Sequence, residues 1–112
     1  MAWGVFVRES RYQALLIRTL KEEFPECVVI KNDPNYIQGI PDLLVLYCDM
    51  WAMLEVKAHA TASSRPNQGY YVELLNEMSF AAVIYPENEQ EVLDALRITF
   101  QSRRNTRRVR RQ

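Results

Sequence analysis

The sequence predicts an α/β fold: a mixed sheet of about four strands flanked by helices, in the order αβββαβα. Three observations predict it. Tyr12, Leu15, Leu16, Leu20 and Phe24 recur at helical spacing. Two apolar runs, residues 42–48 (DLLVLYC) and 51–57 (WAMLEVK), flank Asp49-Met50 as the arms of a hairpin. A further short run, residues 81–85 (AAVIY), follows a stretch of helical character and reads as a strand added in parallel. The chain has 112 residues, the size of one domain, and 48% hydrophobic content, enough for a packed core.

Taken in order, the first helix spans about residues 8–24 and is closed by Pro25. Residues 27–30 form a short β-branched strand, and residues 32–40 a polar loop rich in Asn, Asp, Pro and Gly. The hairpin comes next, then a loop over residues 58–64 and a helix over about 65–78, with Ser64 as N-cap and Pro66 in its first turn. The last helix begins near Glu89, where Asn88 and Glu91 match an Asx-x-x-Glu capping box, and runs to about Phe100. Leu43, Val45 and Tyr47 alternate with Leu44 and Leu46, so both faces of the sheet are apolar and helices must cover both.

No apolar run reaches the roughly 20 residues of a membrane-spanning helix, and residues 1–7 are too few for a signal peptide. Cys27 and Cys48 lie in strand-like runs without metal-ligand spacing, which predicts two reduced core thiols in a cytoplasmic protein. The formal charge is zero, with 14 basic and 14 acidic residues, but the charges are segregated. Arg103, Arg104, Arg107, Arg108, Arg110 and Arg111 occupy the last twelve residues without an acid among them, so residues 1–100 hold 8 basic against 14 acidic groups. The expected organisation is a folded domain over residues 1–100 and a basic tail over 101–112, flexible in isolation or a frayed extension of the last helix, which either solubilises the end or reaches for phosphates.

The hairpin carries the chemistry. With Cys48 facing Trp51 across the turn, Asp42 lies opposite Lys57 and Leu44 opposite Glu55. Side chains two apart on a strand share a face, so Asp42, Glu55 and Lys57 converge at one end of the sheet. An Asp after Pro41 and a Glu–Lys pair also occur as a turn residue and a solvated ion pair. Here, however, they border strands that read as buried, where three charges without a ligand are costly. Two carboxylates and the Val56 carbonyl make an oxygen-only site suited to Mg²⁺ or Mn²⁺. A lysine beside such an ion completes the inventory for phosphodiester hydrolysis.

Gly39-Ile40-Pro41-Asp42, twelve intervening residues and then Glu55-Val56-Lys57 resemble the PD-(D/E)XK nuclease signature. A helix with Glu9 near its start precedes the motif and Gln68 opens the helix after it. That whole order resembles the VRR-NUC (virus-type replication-repair nuclease) branch and the related phage and archaeal Holliday-junction resolvases, over about residues 8–96. The resemblance implies a restriction-endonuclease-like core in which Asp42 and Glu55 bind the metal, Val56 lends its carbonyl and Glu9 completes or supports the site. Lys57 is then the catalytic lysine, and Gln68 positions water, lysine or phosphate. Tyr71 and Ser79 depart from the residues common in relatives, at positions away from the chemistry. His59, two residues beyond the lysine, reads as a solvated residue or a phosphate contact. Lys31 and Arg65 flank the site as candidate DNA contacts, and the acids between Arg65 and Arg97 are expected to face away from DNA.

The resulting expectation is an Mg²⁺- or Mn²⁺-dependent, structure-selective DNA endonuclease of phage type, acting in bacterial cytoplasm in recombination, replication or repair. Symmetric resolution of a four-way junction needs two cuts, hence a homodimer. The alternatives are a nuclease of the same fold acting on flap, nicked or linear DNA, a nuclease subunit working with a helicase or other replication-recombination protein, and a non-catalytic DNA-binding module.

Overall fold

The computed structural model describes residues 8–111, with side chains for residues 8–101. It is an α/β fold of three helices on a four-stranded mixed sheet in the order β1-β2-β3-β4. Helix α1 (Glu9–Glu23) leads into β1 (Val28–Lys31), β2 (Leu43–Tyr47) and β3 (Met50–Val56). Helix α2 (Gln68–Met78), β4 (Ala81–Ile84), a 3₁₀ turn at Pro86–Asn88 and helix α3 (Glu89–Arg111) follow. The strands pair β1–β2 and β2–β3 antiparallel and β3–β4 parallel. No helix among the described residues is long and apolar enough to cross a membrane.

Helix α1 ends because Phe24 N–H closes onto the Leu20 carbonyl and Glu26 adopts a left-handed φ of 74°. Cys27 N–H then bonds the Phe24 carbonyl, tightening the turn into β1. Tyr12, Leu16 and Leu20 of α1 and Leu93, Leu96 and Phe100 of α3 are buried on one face of the sheet. They meet Leu43, Val45, Leu54, Val56 and Ile84, which the strand register places on that same face. Full burial of such side chains contributes roughly 1.5–3 kcal/mol each, so this face holds most of the hydrophobic stabilisation.

The hairpin turns one residue earlier than the sequence suggests. Tyr47 pairs with Met50, so the turn is Cys48-Asp49 and not Asp49-Met50, and Cys48 takes the left-handed φ of 57° that such two-residue turns need. Cys48 is therefore exposed and not a core thiol, whereas Cys27 is buried as expected. The register shifts by two residues, and an even shift leaves every side chain on its face. Continued one step beyond β2, the pairing sets Asp42 opposite Glu55 instead of Lys57.

Three further expectations change. Helix α2 starts at Gln68, not near Arg65, because Asn67 at its N-cap has a φ of 70°, which no helical residue adopts; Ser64 does not cap it. Asn88 does not cap α3 from its own side chain. It accepts from Tyr85 N–H (2.8 Å) and donates to the Val83 carbonyl (3.0 Å), pinning the 3₁₀ turn to the end of β4. Helix α3 continues past Phe100 to Arg111, so the basic segment extends a helix that good helix formers sustain. Its six arginine side chains lie outside the described side chains.

The second sheet face is covered only in part. Helix α2 packs on β3 and β4, and none of its apolar residues is fully buried. The expectation that helices cover both faces thus holds for one face and for half of the other.

Candidate active site

Asp42, Glu55, Lys57 and Gln68 meet at the end of the sheet where β2 begins and β3 ends. Asp42 is held from both sides. Its carbonyl accepts from Asn32 N–H (2.8 Å), and its Oδ2 accepts from Val56 N–H (2.8 Å). The side chain thereby crosses to β3, and the described residues give Oδ1 no hydrogen bond.

Glu55 and Lys57 are buried, at 1% and 6% relative exposure. Glu55 Oε2 accepts from Gln68 Nε2 and lies 3.2 Å from Lys57 Nζ. Its Oε1 is buried with no hydrogen-bond partner, the one such side-chain atom among the described residues. A buried carboxylate oxygen without a protein partner is costly, and it is free to accept from water or to coordinate a cation. Burial pushes the Glu55 carboxyl up to about 7 from an ordinary 4.5. The Asp42 charge adds to this, Lys57 opposes it and Glu9 contributes a little more in the upward direction.

The three ammonium donors of Lys57 all find acceptors: Gln68 Oε1 at 2.8 Å, the Ser63 carbonyl at 3.0 Å and Glu55 Oε2. Gln68 is the keystone of this network. It is the first residue of α2 and buried, it donates to Glu55, and its Oε1 accepts from both Lys57 and Arg65 N–H (2.8 Å). Its place depends on a close loop contact. A Cβ on Gly39 (φ +92°) would fall 2.6 Å from Asn67 Cβ and 2.8 Å from the Pro66 carbonyl oxygen, so only glycine lets the loop before β2 lie against the start of α2.

The remaining sequence-predicted residues are placed less centrally. Glu9 opens α1 and is half-buried. Among the described residues, however, no three Asp, Glu, His or Cys side chains gather closely enough to hold a metal. Glu9 nevertheless lies near enough to Glu55 for its charge to add to the upward push on that carboxyl. Helix α1 packs on the closed face, while Glu55 is bonded by Gln68 at the start of α2. Lys31 pairs with Leu43, which turns it to the sheet face opposite Asp42 and Glu55. Arg65 does flank the site, lining with Pro34, Asn35, Gln38, Gly39 and Pro66 an open cavity of about 420 Å³ between the loops before β2 and α2. His59 Nδ1 pairs with Thr61 Oγ1 at 2.9 Å.

The acids of the second half do not form a single face. Glu87 accepts from Ala60 N–H at 3.2 Å and Glu89 from the Tyr12 hydroxyl at 2.7 Å, which ties α1 to α3 and raises the Tyr12 phenol pKa through burial and the neighbouring carboxylates. Two contributors carry no clear signal in the sequence. Asn32 reads as one turn-former among several, yet it fixes the Asp42 backbone and bonds the Pro41 carbonyl at 2.9 Å. Ser63 acts through its carbonyl, which leaves no trace in side-chain identity.

No family model, curated protein or solved structure matches this chain.

Proposed function

We propose that this chain is a divalent-metal-dependent, structure-selective DNA endonuclease of the PD-(D/E)XK type, cutting branched DNA such as four-way junctions during recombination, replication or repair. The observation that carries the proposal is the convergence of Asp42, Glu55 and Lys57 at one sheet end, with Glu55 Oε1 buried and unpartnered. A salt bridge serving stability alone has no reason to strand a carboxylate oxygen in the interior.

The residues fit Mg²⁺ or Mn²⁺. Asp42 and Glu55 present hard oxygen donors, and one or two carboxylates with waters and substrate phosphate are the usual Mg²⁺ environment. Val56 adds a backbone carbonyl at the same point of β3. When bound, the ion supplies polarisation of a phosphoryl oxygen and acidification of an attacking water. The protein supplies position and charge. Val56 N–H orients Asp42, Gln68 holds Glu55 and Lys57 in one network, and Lys57 sets a positive charge beside the carboxylates where a phosphate would gain negative charge. The raised Glu55 pKa means that in metal-free protein near neutral pH a proton competes with the cation for this carboxylate.

Purified protein incubated with Mg²⁺ or Mn²⁺ and a panel of four-way, flap, nicked and linear DNA tests the proposal. Paired cuts near the branch point are expected, all of them abolished by EDTA. Cleavage that survives EDTA, or none on any substrate with or without a helicase, contradicts it. Preference for flap or nicked DNA would keep the chemistry and change the substrate.

A further inference from the structure

The open cavity beside Asp42 and Gln68 is built from two braced segments. Asp33 Oδ1 accepts from Asn35 N–H (2.8 Å), the Asp33 carbonyl accepts from Tyr36 N–H (3.1 Å) and Ile40 N–H bonds the Ile37 carbonyl (3.3 Å). Residues 33–40 therefore hold their own shape. On the other side Arg65 N–H is tied to Gln68 Oε1, and Gly39 lets the first loop lie against Pro66 and Asn67. Both segments run straight into the site. Asp42 follows Gly39 by three residues and Gln68 follows Arg65 by three, at most about 10 Å of chain. The cavity, about 420 Å³, falls within the roughly 300–1,000 Å³ of ligand pockets.

Its lining is selective in chemistry. Arg65 is the one charged residue, Asn35 and Gln38 add side-chain amides, and Pro34 and Pro66 add flat apolar surface. Between Lys31 and Arg97 the sequence holds two cations, Lys57 and Arg65, and Lys57 is buried and saturated. Arg65 is thus the cation of that span free to meet an anion. Among the described residues its guanidinium and the two amides have no hydrogen bond or ion pair within the protein. Tyr36, in the turn between Asn35 and Gln38, is 85% exposed.

We propose that this cleft is a subsite for one unpaired nucleotide of the strand being cut. Arg65 takes a phosphate oxygen, the Asn35 and Gln38 amides meet the edge of the base, and Pro34, Pro66 and the Tyr36 ring meet its face. The pieces match in kind. A guanidinium pairs with phosphate in charge-assisted bonds, an amide both donates and accepts as a base edge does, and a base face stacks on aromatic and apolar groups. A paired base offers its face to its neighbours in the stack and only an edge to the groove. A concave site with apolar walls therefore selects a base that has left the helix. Branch points, flaps and gaps supply such bases, and continuous duplex does not. The inference rests on the nuclease proposal for the identity of the polymer and goes beyond it in naming the local structure that is read.

Two labelled four-way junctions test it, one fully paired and one with a single unpaired nucleotide at the branch. Affinity is read by anisotropy in Ca²⁺ and cleavage in Mn²⁺. The wild type should bind the second junction roughly 10-fold more tightly, the worth of one stacked base. Tyr36→Ala and Gln38→Ala, at exposed positions and expected to keep the wild-type circular dichroism spectrum, should bring that ratio toward one. Arg65→Gln should weaken binding and lower the salt slope by roughly 0.9. Tyr70→Ala, which removes an exposed tyrosine outside the cleft, should keep the ratio. Equal affinity of the wild type for the two junctions, or binding to neither, overturns the inference. A ratio that survives Tyr36→Ala and Gln38→Ala, or a salt slope unchanged in Arg65→Gln, overturns it as well. The nuclease proposal is judged separately: preference without cleavage in Mn²⁺ supports the cleft and contradicts the nuclease, and cleavage without preference does the reverse.

Discussion

The two faces of the sheet are built from the same alternating strands and do opposite things with them. The face under α1 and α3 is closed: Leu16, Leu20, Leu96 and Phe100 are almost wholly buried against Leu43, Val45, Leu54 and Ile84, and the phenol of Tyr12 is satisfied by Glu89. The face under α2 holds a buried acid with an orphaned oxygen, a lysine saturated by its neighbours and apolar side chains open to solvent. The closed face accounts for stability. The other carries groups that raise the free energy of the free protein, which the proposed nuclease activity would explain. Natural proteins concentrate such local conflicts at functional sites.

That contrast can be broken in several ways. The largest expected effect on folding lies on the closed face, where Leu96→Ala should destabilise by about 2–5 kcal/mol in urea titration, since the α3 side of the core cannot collapse around the cavity. Glu55→Gln should do the reverse. Cleavage should fall at least about 100-fold, while urea stability at pH 8 in EDTA stays level or rises, because removing a carboxylate whose ionisation burial opposes offsets the loss of its ion pair with Lys57. A stability loss as large as that of Leu96→Ala would mean that Glu55 is part of the scaffold.

The pH dependence follows from the same acid. The folded protein holds the Glu55 proton up to about pH 7, whereas the unfolded chain releases it near 4.5. Between those values the native state binds more protons, so this group's contribution to stability decreases as pH rises through the window. In EDTA the melting temperature should carry a downward component from pH 4.5 to 7, absent in Glu55→Gln and offset by Mn²⁺ in the wild type. A melting curve whose pH profile is the same for both proteins would remove Glu55 from the account.

The smallest expected effect lies at the end of α3. Removing residues 101–112 should weaken DNA binding and flatten its salt dependence, by roughly 0.9 in slope for each phosphate the arginines had neutralised, without changing Mn²⁺ binding. Unaltered affinity would assign DNA binding to the catalytic end alone.

Much of this arrangement is legible in the chain because periodicity and short-range spacing encode it. The helical recurrence from Tyr12 to Phe24, the two alternating apolar runs and the short AAVIY strand each fix an element by local rules. Asp42, Glu55 and Lys57 stand out because an even spacing on a hairpin keeps them on one face even when the register slips by two. What stays hidden depends on packing between distant segments. The turn at Cys48-Asp49 cannot be told from Asp49-Met50, since neither carries glycine. The late start of α2 is set by Asn67 resting against Gly39, a contact across 28 residues. Which face of the sheet α1 covers is likewise not specified by an amphipathic pattern.

The central claim is that Asp42 and Glu55 jointly hold the ion on which strand cleavage depends. Its most direct test compares wild type and Asp42→Asn on a labelled four-way DNA junction in the same Mn²⁺ buffer, with binding measured alongside. The account predicts that the variant binds the junction and leaves it uncut. Equal cleavage by the two proteins would contradict it.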